Sequence, residues 1–225
     1  ITSQLEHKAI LDTAQQLQAA GYEVTYLAPD AQGLIAPAVV SAALREDTFL
    51  VSLMLVNNEL GTLNDIAAIG QLVREHGALF HVDAAQGAGK VSIDLAALAV
   101  DLMSFSAHKV YGPKGIGALY VGPRADQRLQ AQIHGGGHEG GLRSGTLATH
   151  QIAGMGAAFA LAAEVFEHET AQIERLQLRL RQQLAEIPGL RVNGCPTQRV
   201  AHTLSLTFGK GDLNLDALSS DLAFS

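Results

Sequence analysis

Leu102-Met103-Ser104-Phe105-Ser106-Ala107-His108-Lys109-Val110-Tyr111-Gly112-Pro113-Lys114-Gly115-Ile116-Gly117-Ala118-Leu119-Tyr120-Val121 decides how the rest of the chain is read. Its first four residues form a short, largely apolar run of the kind a buried strand makes, and Ala118 to Val121 makes a second. Between them Gly112-Pro113-Lys114-Gly115-Ile116-Gly117 has the residues of a tight turn. It is not a phosphate-binding Walker loop, because its lysine precedes the later glycines instead of following them. The first strand runs straight into Ser106, His108 and Lys109, so a hydroxyl, an imidazole and an amine stand just past its carboxyl end.

Outward from this segment the same unit recurs. Tyr22–Leu27, Phe49–Leu55 and Leu79–Val82 read as strands, and the nearly unbroken apolar character of Phe49–Leu55 suits a strand buried on both faces. Helical periodicity occupies Glu6–Ala20, Ala36–Arg45 and Ile66–His76 between them. Alternation of strand and helix predicts an α/β fold: a mostly parallel sheet with helices on both faces. After Gln151 the character changes. Ile152–Ala163 is a helix of small residues, and Glu164–Ile187 is a longer one rich in Glu, Gln and Arg that Pro188-Gly189 ends. Arg191–Asn193 and Thr203–Phe208 read as strands, and Leu215 onward as the start of a helix. The expected division is a large α/β domain over 1–163 and part of a smaller α+β domain over 164–225.

Composition narrows the function classes. The 225 residues are 48% hydrophobic and 16% charged, as in ordinary globular proteins. A net charge of −7 disfavours a general nucleic-acid or anionic-membrane surface. No apolar run reaches the roughly 20 residues of a membrane helix. The single cysteine, Cys195, excludes an intrachain disulfide and a multi-cysteine metal site, which points to the cytoplasm. The chain opens at Ile-Thr-Ser without Met and stops at Asp-Leu-Ala-Phe-Ser without a helix cap, and so reads as a piece of a longer protein.

Ligands of parallel sheets gather beyond the carboxyl ends of the strands. Collected there are Glu6-His7 after Ile1–Ser3, Asn57-Asn58-Glu59 after Phe49–Leu55, Asp83 and Gln86 after Leu79–Val82, and Ser106, His108 and Lys109. Singly, each has an ordinary reading: a solvated loop lysine, an Asp capping a turn, a surface histidine, Asn-Asn as turn chemistry. Together they match what pyridoxal phosphate needs. Lys109 can hold its aldehyde as a Schiff base, and Asp83 can pair with its protonated pyridine nitrogen. The remaining groups can donate to its oxygens or lie against its ring.

Glu6–Ala9, Val56–Thr62, His81–Gly87, Met103–Val121 and H-G-G-G-H-E-G-G-L-R-S-G-T over 134–146 resemble the cysteine desulfurases of iron–sulfur cluster assembly. The resemblance runs the length of the chain and implies a type I pyridoxal-phosphate fold and a homodimer. It implies Lys109 as Schiff-base lysine and proton carrier at the substrate Cα, Asp83 at the ring nitrogen and His7 stacked on the ring. Asn58 and Gln86 then reach the ring oxygen and substrate carboxylate, Ser106 and His108 the phosphate, and Thr146 the phosphate of a neighbouring subunit. The implied reaction takes sulfur from L-cysteine, leaving L-alanine and a protein persulfide that feeds a cluster scaffold or tRNA thiolation.

Desulfurases keep the attacking cysteine on a loop just beyond the region matching Leu218–Ser225, and a phosphate loop upstream of Ile1. These 225 residues are therefore expected not to transfer sulfur by themselves. Cys195, in the turn Asn193-Gly194-Cys195-Pro196, reads as an ordinary loop thiol. His134-Gly135-Gly136-Gly137-His138 is neither an oxyanion loop, since no G-x-S-x-G elbow accompanies it, nor a metal site. Two other functions share the pattern: a selenocysteine lyase or other pyridoxal-phosphate β-lyase, and a non-catalytic dimeric scaffold. The scaffold has no use for a Schiff-base lysine.

Overall fold

The computed structural model describes residues 1–209, so the helical pattern predicted from Leu215 lies outside the described residues. Strands β3 (Leu50–Met54), β4 (Leu79–Asp83), β5 (Leu102–Ser106) and β6 (Gly117–Val121) pair side by side in that order. β3, β4 and β5 run parallel, with Leu53 opposite Val82 and Val82 opposite Met103. β6 is antiparallel, Ser104 facing Leu119. The short turn before it forces this direction, because a parallel return needs a crossover of a dozen or more residues.

Two shorter strands extend the layer. β1 (Thr2–Ser3) pairs in parallel with β2 (Tyr26–Leu27). It is also laid along β3: the Ile1 nitrogen donates to Leu50 O and the Ser52 amide to Ile1 O, each at 2.9 Å. The strand expected over Tyr22–Leu27 is confined to its last two residues, since Gly21 turns the chain at φ 98° and only Thr25–Leu27 comes within bonding reach of β1.

Helices α1 (Lys8–Ala19), α2 (Pro37–Ala43) and α3 (Ile66–His76) connect the strands. Alternation along the strands sends Val51, Leu53, Phe80, Val82 and Met103 to one face. There they bury against Val40 of α2 and Ile66, Ile69 and Val73 of α3. α3 is well punctuated: Asp65 Oδ1 accepts from the Ala68 amide at 3.0 Å, and Gly77 closes it at φ 95°. α1 lies toward the other face, where Ala14, Leu17, Ser52 and His81 line a cavity of about 470 Å³.

The two helices expected at 152–163 and 164–187 are one, α5 (Thr149–Leu184), 36 residues long. No Gly or Pro stands near Glu164, so the change from small to charged residues marks a change of surroundings, not of chain direction. Its first half presses on the Lys109 turn. Phe159 meets Phe105 edge-on with centroids 6.0 Å apart, and Gln151 Nε2 donates to Lys114 O at 2.8 Å. A Cβ on Gly154 would come within 2.7 Å of Pro113 Cγ, so only glycine admits this approach. Past α5, β7 (Arg191–Val192) pairs antiparallel with β8 (Leu206–Thr207), the remnant of the strand expected over Thr203–Phe208. Arg199 ties this region to the loop after β3, donating to Leu60 O at 3.1 Å and Thr203 O at 2.8 Å.

Asp101, 2% exposed, anchors the start of β5. It accepts the Phe80 amide at 2.8 Å and pairs with Arg124 at 3.1 Å. Asp101→Ala leaves the amide and a half-covered guanidinium without their acceptor, and is expected to destabilise by on the order of 3 kcal/mol in denaturant unfolding.

Candidate active site

The parallel ladder continues past the strand ends. The Leu55 amide donates to Asp83 O at 2.9 Å and the Ala84 amide to Ser104 O at 3.0 Å; β3 and β4 thus end opposite each other, and β5 runs on past the Asp83–Ser104 pair to Ser106. Asp83, at the last position of β4, is half-buried; its Oδ1 accepts the Ala85 amide at 2.9 Å. No partner for Oδ2 is found among the described residues. Ser106 ends β5 and is partly covered. A 3-10 turn over Ala107–Val110 then lifts His108 and Lys109 into the open. Tyr111 closes that turn in the left-handed region, at φ 61°, and is 93% exposed.

His7 is held by the helix it starts. It is the N-cap of α1, and its Nδ1 accepts the Ala9 amide at 3.1 Å. A ring nitrogen used as acceptor carries no proton, so in the neutral ring the hydrogen sits on Nε2.

The two asparagines after β3 divide the labour. Asn57 is the structural one: buried, its Oδ1 accepts the Glu59 and Leu60 amides at 3.0 and 2.8 Å, and its Nδ2 donates to Leu5 O at 3.0 Å. Asn58 is half-exposed and has no side-chain partner among the described residues, so its amide remains available. Thr146 is exposed in the loop before α5, and no described hydrogen bond ties it to the sheet edge. Cys195 stands elsewhere. It is 3% exposed, with Sγ accepting the Gln198 amide at 3.4 Å.

Three residues that the sequence reading left without a role also gather here. Lys90 donates to Gln86 Oε1 and so orients that amide. Burial, and then the charge of Lys109, lower its pKa. Their separation by four positions was a legible signal, since such pairs meet on a helical turn. Lys90 and Lys109 share a cavity of about 220 Å³ with Tyr111, Ala162, Glu169 and His202. His81 lies two residues before Asp83, hence on the same face, and its Nδ1 is 2.8 Å from Ser52 Oγ. Burial lowers its pKa, with Asp83 opposing.

The third is Glu6. It is 5% exposed, with Oε1 accepting from Ser3 Oγ at 2.7 Å and from the Met54 amide at 3.0 Å. Its Oε2 is buried without a partner among the described residues. Burial pushes its pKa up to about 7; the bonds from Ser3 and Met54 oppose this, and Asp83 adds to it. No pattern in the sequence signals a buried carboxyl at that position.

Among the described residues no group of His, Cys, Asp or Glu is placed to hold a metal, and no helix is long and apolar enough to cross a membrane. The edge thus offers an exposed amine, a carboxylate with an open oxygen, a fixed imidazole and two amides within one region.

The chain is 63% identical over 208 residues to the cysteine desulfurase IscS of Pseudomonas putida (strain GB-1), covering 92% of this chain and 52% of that protein. With the IscS of Pseudomonas syringae pv. syringae (strain B728a) identity is 60% over 227 residues, 100% of this chain and 56% of that one. The chain thus spans about half the length of these relatives. Among solved structures, DndA from Streptomyces lividans superposes with a TM-score of 0.89 at 38% identity, over 97% of this chain and 63% of that chain. SspA in complex with cysteine gives 0.83 at 40%, over 98% and 61%. Residues 1–221 match the aminotransferase class-V family, and the chain belongs to that family.

Proposed function

We propose that the protein is a pyridoxal-phosphate-dependent cysteine desulfurase, taking sulfur from L-cysteine and leaving L-alanine. The observation that carries this reading is the parallel register of β3, β4 and β5, with Asn58, Asp83, Gln86, Ser106, His108 and Lys109 at or just past their carboxyl ends. The donor set fits the cofactor. Asp83 keeps an open carboxylate oxygen, Lys109 is an unburied amine, and His7 is fixed at one nitrogen only. The IscS relatives and SspA with its bound cysteine support the substrate.

Pyridoxal phosphate, when bound, supplies an aldehyde that condenses with amines and a pyridinium ring that accepts the electron pair released at Cα. The chain's residues do the rest. Lys109 holds the aldehyde and moves the proton at the substrate Cα. Asp83 holds a proton on the ring nitrogen, since a neighbouring carboxylate favours the charged ring. His7 covers the ring face, Asn58 and Gln86 bind the ring oxygen and the substrate carboxylate, and Lys90 restrains the Gln86 side chain by donating to its Oε1. Ser106 and His108 bind the phosphate. Cys195, buried in its turn, takes no part.

The same reading includes a cytoplasmic homodimer in which Thr146 reaches the partner's phosphate. It includes sulfur delivery to a cluster scaffold or to tRNA thiolation, and the division into 1–163 and 164–225 with α5 as a rigid link.

In the full-length protein, Lys109→Ala is expected to abolish turnover and the lysine-linked chromophore. Borohydride reduction followed by mass spectrometry should find the pyridoxyl group on Lys109; finding it on Lys90 or Lys114 would overturn the assignment. Asp83→Ala removes one partner of a buried charge pair, a loss of about 3–5 kcal/mol. Weak cofactor retention in equilibrium dialysis and slow Cα proton exchange are the expected results. For His7 the cap and the ring separate. His7→Ala should lower stability by about 1 kcal/mol and loosen the cofactor, whereas His7→Asn should restore the stability and not the retention.

A further inference from the structure

We propose that Glu6 is a positioning residue for Asp83: clamped between Ser3 and the Met54 amide with one oxygen free inside the fold, its carboxyl governs how much negative charge the end of β4 presents to a cationic ring. The inference rests on the pyridoxal-phosphate reading of the site and adds to it a residue that never touches the reacting atoms.

The geometry makes two statements. Oε1 joins the end of β1, through Ser3, to the end of β3, through Met54, at 2.7 and 3.0 Å. Glu6 therefore sets where the chain leaves β1, and His7 is the next residue. Oε2 is sealed inside at the same place, unpartnered among the described residues. A fully dry carboxylate oxygen without a donor is costly, while a carboxylic acid there loses far less.

The groups around it fix the sign. β1 presents Ser3 and β3 the Met54 amide, neither charged. β4 presents Asp83, which lies opposite Met54, the residue whose amide Glu6 accepts, and its field opposes ionisation of Glu6. His81, earlier on β4, faces Ser52 and is itself held toward its neutral form by burial. Two carboxyls in one dry site resist ionising together. Asp83 is half-buried with its Oδ2 open, whereas the Glu6 carboxyl is sealed inside the fold, so burial favours the proton on Glu6. When Glu6 ionises, at about pH 7, a negative charge appears beside the end of β4 and a proton on the bound cofactor is held more tightly.

Glu6→Gln preserves shape and the acceptor at Oε1 and cannot ionise; Glu6→Ala removes both. In full-length holoenzyme the chromophore is titrated by absorbance. Glu6→Gln is expected to lower its midpoint by about 1 pH unit while retaining cofactor, and Glu6→Ala to lose retention. Identical midpoints in wild type and Glu6→Gln would overturn the proposal. The apoprotein supplies the second measurement. A carboxyl whose folded pKa is raised binds its proton more tightly folded than unfolded, so its stabilising contribution is lost as pH rises from the unfolded value toward the folded one. Wild-type melting temperature should therefore fall relative to that of Glu6→Gln between about pH 5 and about pH 8. Parallel melting curves would also overturn the proposal. Absence of any chromophore in wild type would sink the cofactor reading instead, and the apoprotein comparison would still judge Glu6.

Discussion

The backbone bonds that carry the ladder beyond the strands, Leu55 N to Asp83 O and Ala84 N to Ser104 O, hold the whole edge in place. Parallel strands in fixed register end at heights set by that register. A slip of one residue would turn Asp83 into the α2–α3 core and bring Val82 or Ala84 out in its place. The buried stripe of Val51, Leu53, Phe80, Val82 and Met103 prevents the slip, because it would put that stripe against the polar side. Burial on one face thus fixes chemistry on the other.

The polar face is unusual for the centre of a sheet. Ser52, His81, Asp83, Ser104 and Ser106 follow the same alternation as the core, displaced by one position. Glu6 joins them from the end of β1. Titratable groups this close cannot settle their protons independently. Burial pushes Glu6 and His81 toward their neutral forms, while Asp83 is half-buried with one carboxylate oxygen open. Such division of labour between neighbouring carboxyls is how one fold keeps an acid and a base at the same pH.

Support for Lys109 comes from behind. The 3-10 turn holding it is too short to be rigid by itself, and closes through a bulky residue, Tyr111, in the left-handed region. α5 supplies the backing: Gly154 lets it approach Pro113, Phe159 meets Phe105, and Gln151 bonds the Lys114 carbonyl. The glycines and alanines that open α5 are there for closeness. The charged stretch over 164–184 has no glycine and a single alanine, Ala171.

Much of this was legible beforehand, for a physical reason. Strand alternation, apolar runs and turn residues are local, so the order of β3 to β6 and the residues at their ends could be read from the chain, as could the amine–carboxylate–imidazole set that suits pyridoxal phosphate. What could not be read depended on contacts between distant residues. The continuity of α5 across Glu164 needed only the absence of a breaker, yet the composition change hid it. The shortness of β2 and β8 was set by what lay within bonding reach. That Asn57 and not Asn58, identical in type and adjacent in sequence, is tied into the loop was decided by which one faced Leu5 O. Glu6 shows the limit most plainly. By sequence it is a carboxylate near a helix start, where acids are common and solvated. Only the packing of β1 against β3, from residues some 48 positions apart, buries it beside Asp83. Burial is a property of the assembled fold, and it is burial that changes the acid.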